Sequence, residues 1–295
     1  MNFKCVCFGE VLFDVLPTEV KAGGAPMNVA YHLTKLGNKT TIISRIGDDL
    51  RGKELTDILK EKKINLENLQ VDATHPTSVV LATPNEKGDM KYDIIENVAW
   101  DFIELKAHHE SLIRNAGYFI FGSLVTRSTI SRSSLFNLLD IPCKRIFDIN
   151  LREPFVNQKN IEYQLNKTDV LKMNEEELDL VSGWYVQFSS IEDKVRFLQN
   201  KFQIATLIVT RGAKGAVVNQ QDSFYYHDGF KVTVADTIGS GDSFLAGFLS
   251  ELIKGNAVDE ALDFACSLGA FVATKAGGCP DYNISEINNM QLGLL

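Results

Sequence analysis

The sequence predicts an α/β fold in which helices cover both faces of a mostly parallel sheet. Short apolar, β-branched runs recur along the 295 residues and alternate with longer amphipathic segments. Such alternation requires crossover connections, which make consecutive strands parallel and pack the intervening helices on the two faces of the sheet. A content of 45% hydrophobic and 23% charged residues is sufficient for the core of this fold.

Six strands and seven helices are predicted from these runs. The strands are expected at residues 4–8, 40–44, 118–121, 145–149, 169–173 and 206–210. The helices are expected at residues 26–36, 52–62, 129–139, 175–181, 191–200, 241–254 and 257–275. The first helix has the clearest limits, because Pro26 at its start presets φ and Gly37 follows its end.

Two segments interrupt the alternation and predict a second, smaller sheet. Residues 10–16 are expected to be extended, and residues 78–83 and 90–96 flank the hairpin signal Asn85-Glu86-Lys87-Gly88. A small sheet inserted near the start of an α/β unit is typical of a lid over a cleft. The prediction is therefore one domain over residues 1–295, with its lid at about residues 10–20 and 77–100.

Composition excludes several classes of function. A formal net charge of -8 and a pI of about 5.2 argue against non-specific nucleic-acid binding, which needs clustered Lys and Arg. The five cysteines are odd in number and lack the paired spacing of zinc sites, and Cys5 and Cys7 are expected to share one buried face of a strand. Neither a secretory signal nor a bilayer-spanning stretch is found. These features predict a reduced, soluble, cytoplasmic protein.

The strongest chemical signal is the stretch Asp236-Thr-Ile-Gly239-Ser240-Gly241-Asp242-Ser-Phe, which leads into a helical apolar pattern. Glycines let successive main-chain amides point into one concavity, and a helix N-terminus favours an anion there. Asp242, in the first turn, suits a base that removes a proton from an attacking hydroxyl. On spacing alone, an Asp that caps the helix explains the pattern equally well. A Walker A loop and a dinucleotide fingerprint are excluded, because their required Lys and third glycine are missing.

A second signal is Gly23-Gly24-Ala-Pro-Met-Asn28, a double glycine that leads into the helix begun by proline. Glycine amides and an Asn side chain are good neutral partners for sugar hydroxyls, and Asp14 on the lid would add an acceptor. A tight turn followed by a capping Asn explains the same residues without any ligand.

These two stretches resemble the two signatures of the ribokinase-like carbohydrate kinases, the phosphofructokinase-B type, which include ribokinase, fructokinase, 2-keto-3-deoxygluconate kinase and adenosine kinase. The first signature continues with Leu36-Gly37, Arg45-Ile-Gly-Asp-Asp49 and Gly52. The resemblance extends from residue 9 to residue 278. It implies a ribokinase-like three-layer sandwich with a mostly parallel central sheet and a small β-sheet lid. The implied activity is ATP-dependent phosphorylation of a sugar hydroxyl.

The resemblance also implies roles for individual residues. Asp242 would be the catalytic base, beside an anion hole made by Gly239, Ser240 and Gly241. The sugar would be bound by Asp14, Gly23, Gly24, Asn28 and Arg152. ATP and Mg²⁺ would be bound by Asn174 and Glu177 of an Asn-x-x-Glu motif, with Glu177 reaching Mg²⁺ through water, and by Thr210, Gly212 and Gly215. Asp236 and residues 273–278 resemble segments whose carbonyls hold a monovalent cation, usually K⁺.

Without the resemblance, two of these segments have simpler explanations. The acidic residues 175–177 are favoured by the dipole at the start of a helix. Residues 210–215 would form a hairpin turn.

The substrate is predicted from the resemblance of residues 9–14 and of Asp148-Ile-Asn-Leu-Arg152 to fructokinases. Arg152 would reach the substrate or a phosphate, although a surface ion pair is the alternative. The same Asp-x-Asn-x-Arg pattern occurs in 2-keto-3-deoxygluconate kinases, so that activity and a ribokinase or nucleoside kinase activity stay open. A non-catalytic sugar sensor on the same fold is the alternative from another class. Free edges of the lid predict a homodimer.

Overall fold

The computed structural model describes residues 3–15, 19–84 and 90–294, and for residues 82–84 and 90–92 it describes the backbone alone. The strands in the described residues are β1 (Cys5–Phe8), β2 (Leu12–Val15), β3 (Val20–Gly23), β4 (Thr40–Gly47), β5 (Leu69–Asp72), β6 (Ser78–Pro84), β7 (Met90–Ile94), β8 (Tyr118–Gly122), β9 (Lys144–Asp148), β10 (Val170–Asn174), β11 (Thr206–Thr210), β12 (Ala216–Gln220) and β13 (Ser223–His227).

Ten α-helices lie in the same part of the chain: α1 (Ala25–Lys35), α2 (Leu50–Glu61), α3 (Ala107–Asn115), α4 (Thr129–Leu139), α5 (Gln158–Leu165), α6 (Glu175–Gly183), α7 (Ile191–Phe202), α8 (Ser240–Lys254), α9 (Val258–Ala273) and α10 (Ile284–Gln291). All seven predicted helices are present, with ends shifted by at most two residues. None of the helices in the described ranges has the length and apolar character needed to cross a bilayer.

The larger sheet has nine strands in the order β13-β12-β11-β10-β9-β8-β1-β4-β5. The seven strands from β11 to β5 pair in parallel, whereas β12 and β13 extend one edge as antiparallel strands. The predicted mostly parallel sheet is therefore confirmed. Because β9, β10 and β11 are neighbours, the polar residues at their carboxyl ends meet at one edge of the sheet.

Apolar side chains cover both faces of this sheet. In β1, Cys5 and Cys7 pack with helices α1, α2, α8, α9 and α10, while Val6 and Phe8 pack with helices α3 to α7. This division follows from the alternation of side chains along a strand. The predicted placement of Cys5 and Cys7 as buried thiols on one face is confirmed, and so is the three-layer arrangement.

The smaller sheet has four strands in the order β3-β2-β6-β7. The predicted pairing of residues 78–83 with residues 90–96 is confirmed in the antiparallel β6 and β7, and the predicted turn at 85–88 lies outside the described residues. Gly23 does not lie in a free turn as the glycine pattern suggested, because it ends strand β3 opposite Leu12. Residues 99–102 form a buried 3-10 helix rather than part of the small sheet.

The antiparallel edge of the large sheet was not predicted. Strands β12 and β13 are joined by Gln221 and Asp222, both of which have positive φ, at 52° and 62°. A two-residue hairpin turn of this kind usually carries Asn-Gly or Asp-Gly, so the sequence lacks the usual signal. Strand β5 and helices α3, α5 and α10 were also missed, and each of them is only four to nine residues long.

Candidate active site

A cavity of about 590 Å³ lies between the carboxyl edge of the large sheet and the small sheet. The small sheet contributes Leu12, Asp14, Val80 and Ile94 to its wall, so it covers the cavity as the predicted lid would. The opposite wall comes from strands β9, β10 and β11 and from the N-terminus of α8. The lining residues that the sequence had indicated are Asp14, Gly24, Asn28, Arg152, Asn174, Glu177, Thr210, Gly239, Gly241 and Asp242.

The N-terminus of α8 presents free main-chain donors to this cavity. Gly239 precedes the helix with φ of 73°, and a Cβ there would lie 2.4 Å from Gly278 Cα, so glycine is required. The amides of Gly239, Gly241 and Asp242 have no acceptor within the described ranges. The Ser240 amide donates to Thr237 O at 3.3 Å, and its hydroxyl donates to Gly269 O at 3.0 Å. Both donors of Ser240 are therefore used within the protein.

Asp242 lies in the first turn of α8 and is partly exposed to the cavity. Its Oδ2 accepts a hydrogen bond from Asn28 Nδ2 at 2.8 Å, and Asn28 Oδ1 accepts one from the Cys279 thiol at 3.1 Å. Burial, together with the neighbouring Asp148 carboxylate, raises the pKa of Asp242 to about 6. Lys172, the Asn28 amide and Arg152 favour the ionised form and oppose this rise. A carboxylate with a pKa near 6 is ionised at neutral pH and is basic enough to accept a proton.

A buried ion pair lies beside Asp242. Lys172 Nζ on β10 donates to both oxygens of Asp148, at 2.8 and 3.0 Å, and both side chains are buried. A Cβ at Gly241 would lie 3.2 Å from the same ammonium, which places the cation directly below the start of α8. Lys172 was not predicted from the sequence. The available signal was a single lysine among the buried apolar residues of β10.

Asn174 and Glu177 form a reciprocal cap at the start of α6. Asn174 Oδ1 accepts from the Glu177 amide and Glu177 Oε2 accepts from the Asn174 amide, both at 2.8 Å. Glu177 Oε1 also accepts from the Leu151 amide at 2.8 Å. The alternative explanation, that these residues open a helix, is therefore correct for their hydrogen bonds. Both residues nevertheless line the cavity, and each Glu177 oxygen keeps a lone pair for a water molecule.

Of the residues predicted to bind the sugar, Asp14, Gly24, Asn28 and Arg152 line the cavity and Gly23 does not. Burial raises the pKa of Asp14 to about 6, and the nearby Arg152 opposes this rise. Gly23 lies behind Asp14, since a Cβ at Gly23 would lie 2.6 Å from Asp14 Oδ2. Gly24 has φ of 113°, and a Cβ there would lie 2.4 Å from Glu10 O. Arg152 is exposed and donates to Leu151 O at 2.9 Å, so the surface ion pair suggested as its alternative is not formed within the described residues.

Five predicted residues lie outside the cavity wall: Gly23 and Ser240, described above, and Asp236, Gly212 and Gly215. The Asp236 carboxylate accepts from the amides of Ile238 and Gly277, both at 3.0 Å, and lies 3.5 Å from Lys21 Nζ of the lid. It thereby joins the loop before α8 to the loop after α9. Gly212 and Gly215 belong to the turn between the antiparallel β11 and β12, as the hairpin alternative stated, and a Cβ at Gly215 would lie 1.9 Å from His227 O.

Glu10 is a further lining residue to which sequence reasoning gave no role. It follows β1, is 3% exposed, and its Oε2 has no partner within the described part of the chain. Burial, together with the nearby Asp242 carboxylate, raises the pKa of Glu10 to about 7, and Arg152 opposes the rise. The signal in the sequence was its place in the segment from residue 9 to residue 14.

The pfkB family carbohydrate kinase model matches residues 3–284 of this sequence. The chain belongs to the pfkB family of carbohydrate kinases. It is therefore a phosphotransferase that acts on a sugar. Its matched region contains every cavity residue described above.

Curated and solved members of this family resemble the chain over nearly its full length. Fructokinase-2 of Solanum lycopersicum is 29% identical and covers 93% of this chain and 92% of its own. The structure of the Xylella fastidiosa fructokinase with bound ATP is 21% identical and covers 99% of both chains with a TM-score of 0.88. The Vibrio cholerae O395 fructokinase, in its form with fructose, ADP and calcium ion, is 25% identical and covers 98% and 99%, with a TM-score of 0.85. The pfkB chain thus has the predicted ribokinase-like fold.

Proposed function

We propose that this pfkB kinase is a fructokinase that transfers the γ-phosphate of ATP to a primary hydroxyl of fructose. The observation that carries this proposal is the position of Asp242. Asn28 holds its carboxylate next to free main-chain amides at the start of α8, and the lid covers the cavity that contains them. The similarity to fructokinases along nearly the whole chain supports the substrate.

The proposed reaction assigns each atom a place. The sugar hydroxyl approaches Asp242 and gives its proton to the carboxylate, while the hydroxyl oxygen forms a bond to the γ-phosphorus. The bond from that phosphorus to the β–γ bridging oxygen breaks, and ADP leaves with the electron pair. The amides of Gly239, Gly241 and Asp242 would stabilise the charge on the transferring group, because they are fixed at a helix N-terminus. The lid excludes water, so that ATP is transferred to sugar rather than hydrolysed.

The donor set fits ATP with Mg²⁺ and does not suggest an ion held by protein carboxylates alone. No cluster of three potential ligands among His, Cys, Asp and Glu exists in the described residues. Mg²⁺ retains several waters and is usually held by phosphates with one or two carboxylates, and Glu177 would reach it through water. When bound, the ion would neutralise charge on the phosphates. Asn174 and Thr210 line the same end of the cavity as Glu177 and would contact the nucleotide.

For K⁺, only main-chain carbonyls are suitable ligands at the predicted site. The Asp236 carboxylate is already occupied by two amides and lies close to Lys21. Main-chain carbonyls of residue 236 and of residues 273–278 would therefore have to hold the ion. Gly212 and Gly215 are assigned to shaping the turn near the nucleotide, since they do not line the cavity.

The charges in the cavity favour a neutral sugar over a sugar acid. Five carboxylates line it, those of Glu10, Asp14, Asp148, Glu177 and Asp242, against the two cations Lys172 and Arg152. Lys172 is paired within the protein, which leaves exposed Arg152 as the one lining cation for a substrate carboxylate in the described region. The excess of carboxylates disfavours the carboxylate of 2-keto-3-deoxygluconate, whereas Asp14 can accept hydrogen bonds from neutral hydroxyls and Asn28 can accept or donate them.

A panel of substrates tests the proposal. ADP release is measured with Mg²⁺, with and without K⁺, for fructose, tagatose, ribose, 2-keto-3-deoxygluconate and adenosine. We expect fructose to give the highest kcat/KM. A preference for any other member of the panel refutes fructokinase activity but preserves the kinase. Sugar binding by calorimetry without ADP release would instead support the sugar sensor.

We also propose that the chain forms a homodimer through its lid. Val20 of β3 and Leu81 of β6 both pair with Val15 of β2, so the three side chains form one apolar row across the sheet. Asp14 and Val80 of the neighbouring row line the cavity, which places the apolar row on the opposite face. Val20 is 55% exposed and Leu81 is 37% exposed, and a second lid would cover both.

A further inference from the structure

We propose that Lys172 and Asp148 are positioning residues whose opposite charges act together on the Asp242 carboxylate. The ammonium of Lys172 holds the base in its ionised form, and the Asp148 carboxylate limits this attraction and fixes the ammonium in place. The proposal rests on the proposed role of Asp242 as the base. It assigns a task to two residues that need not touch the sugar.

The ion pair of Lys172 and Asp148 is buried and uses both carboxylate oxygens. Both oxygens of Asp148 bind one ammonium, at 2.8 and 3.0 Å, in the interior at the edge of the sheet. A pair that only joined β9 to β10 would gain little, because taking two charges out of water offsets most of their attraction. This pair lies beneath Gly241, where an ammonium is 3.2 Å from the position that a Cβ would take. Its field therefore acts on the first turn of α8 through protein rather than through water.

The groups that act on Asp242 come from every element around it. Asp148 ends β9, Lys172 lies on β10, Arg152 lies in the loop after β9, Glu10 follows β1, and Cys279 follows α9. Glu177 on α6 also acts on Lys172. Among these groups, Lys172 and Asp148 bring both signs of charge to one buried position. Removing the charge of Lys172 and removing that of Asp148 should therefore shift the acidic limb of the pH profile in opposite directions.

Two single substitutions separate this role from simple support of the fold. In Lys172→Gln, the amide can still donate to Asp148, but the positive charge is gone. The acidic limb of kcat/KM should then move to higher pH by about one unit, since Asp148 now repels the ionised base without opposition. In Asp148→Asn, the ammonium keeps a neutral acceptor and acts on Asp242 unopposed. The acidic limb should move to lower pH by a similar amount.

The measurement is the pH profile of kcat/KM from pH 5 to 9 with fructose, or with whichever sugar of the panel is turned over. Thermal unfolding of each variant at each pH limits the comparison to folded enzyme. The proposal is overturned if the acidic limbs of the two variants move in the same direction, or if they do not move. If Lys172→Gln does not fold, Asp148→Asn decides alone, and an unchanged or raised limb then refutes the proposal. If Asp242→Asn keeps full turnover, the failure belongs to the proposed function instead.

Discussion

Asn28 Nδ2 donates a hydrogen bond of 2.8 Å to Asp242 Oδ2, although 214 residues separate the two in the sequence. The sequence predicted that Asn28 would bind the sugar and that Asp242 would act as the base. The structure shows that the first residue holds the second. The two sequence signatures therefore meet in one hydrogen bond, which orients the carboxylate and favours its ionised form.

Loss of this hydrogen bond should slow the reaction and shift its pH dependence. A hydrogen bond to a charged group contributes about 1.5–3 kcal/mol, so Asn28→Leu should lower kcat by about 10- to 100-fold. Without its donor, the pKa of Asp242 should rise above about 6, so the acidic limb of kcat moves to higher pH. The matched variant Asn115→Leu, at the exposed end of α3, should behave as wild type. An unchanged acidic limb in Asn28→Leu would contradict this coupling.

The charge of Asp242, which is largely removed from water, should also make the protein less stable at neutral pH. Its pKa is raised from 3.8 to about 6, so the folded state binds this proton more tightly than the unfolded state. Stability is therefore lost as pH rises from about 4 to 6, and the loss is complete above that range. Asp242→Asn should raise the free energy of unfolding at pH 8 by about 1–2 kcal/mol, after allowance for partial exposure.

Urea denaturation at pH 4, 5, 6 and 8 measures this linkage. The advantage of Asp242→Asn over wild type should grow up to pH 6 and then stay constant. An advantage that is equal at all four pH values would show that the charge is not the cause. Asp259→Asn on the exposed first turn of α9 provides the matched control, in which no such growth is expected.

A third prediction concerns the root of the lid. Thr77, which precedes β6, donates from its amide and its hydroxyl to the two oxygens of Asp49, both at 2.8 Å. The Gly47 amide donates to the same hydroxyl at 3.0 Å. Thr77→Val keeps the shape and the amide bond to Asp49 but leaves the Gly47 amide without its acceptor, so it should cost about 1–3 kcal/mol of stability. Because the lid strand begins at Ser78, KM for the sugar should rise as well.

Thermal unfolding and initial-rate kinetics test this prediction, with Thr56→Val on α2 as a comparison in which a local helix hydrogen bond is lost instead. A rise in KM for Thr77→Val alone would tie the Arg45–Asp49 part of the first signature to the lid. Equal KM values in the two variants would leave it a purely structural element.

The proposed dimer leads to a fourth prediction. Leu81→Lys puts a charge into the apolar row of the lid without altering the row that lines the cavity. Light scattering should give about twice the mass of 32.9 kDa for wild type and a single chain mass for the variant. Leu292→Lys, which changes an exposed leucine after α10, should remain dimeric. A monomeric wild type would remove the claim.

The sequence was most informative where chemistry depends on local spacing. The glycine loop before α8 and the double glycine before α1 could be recognised because their residues are contiguous. Lys172 could not, because its partner Asp148 lies on another strand and a lysine within an apolar strand resembles an interruption. The β12–β13 hairpin was missed because Gln221 and Asp222 adopt positive φ without glycine.

The turnover of Asp242→Asn tests the central claim most directly. Single-turnover phosphorylation of the preferred sugar is compared in wild type, in Asp242→Asn and in the control Asp259→Asn, with sugar affinity measured by calorimetry in each. We predict that only Asp242→Asn loses about 10³-fold or more in rate, because the base and its charge are lost together, while the sugar still binds. Wild-type turnover in Asp242→Asn would contradict it.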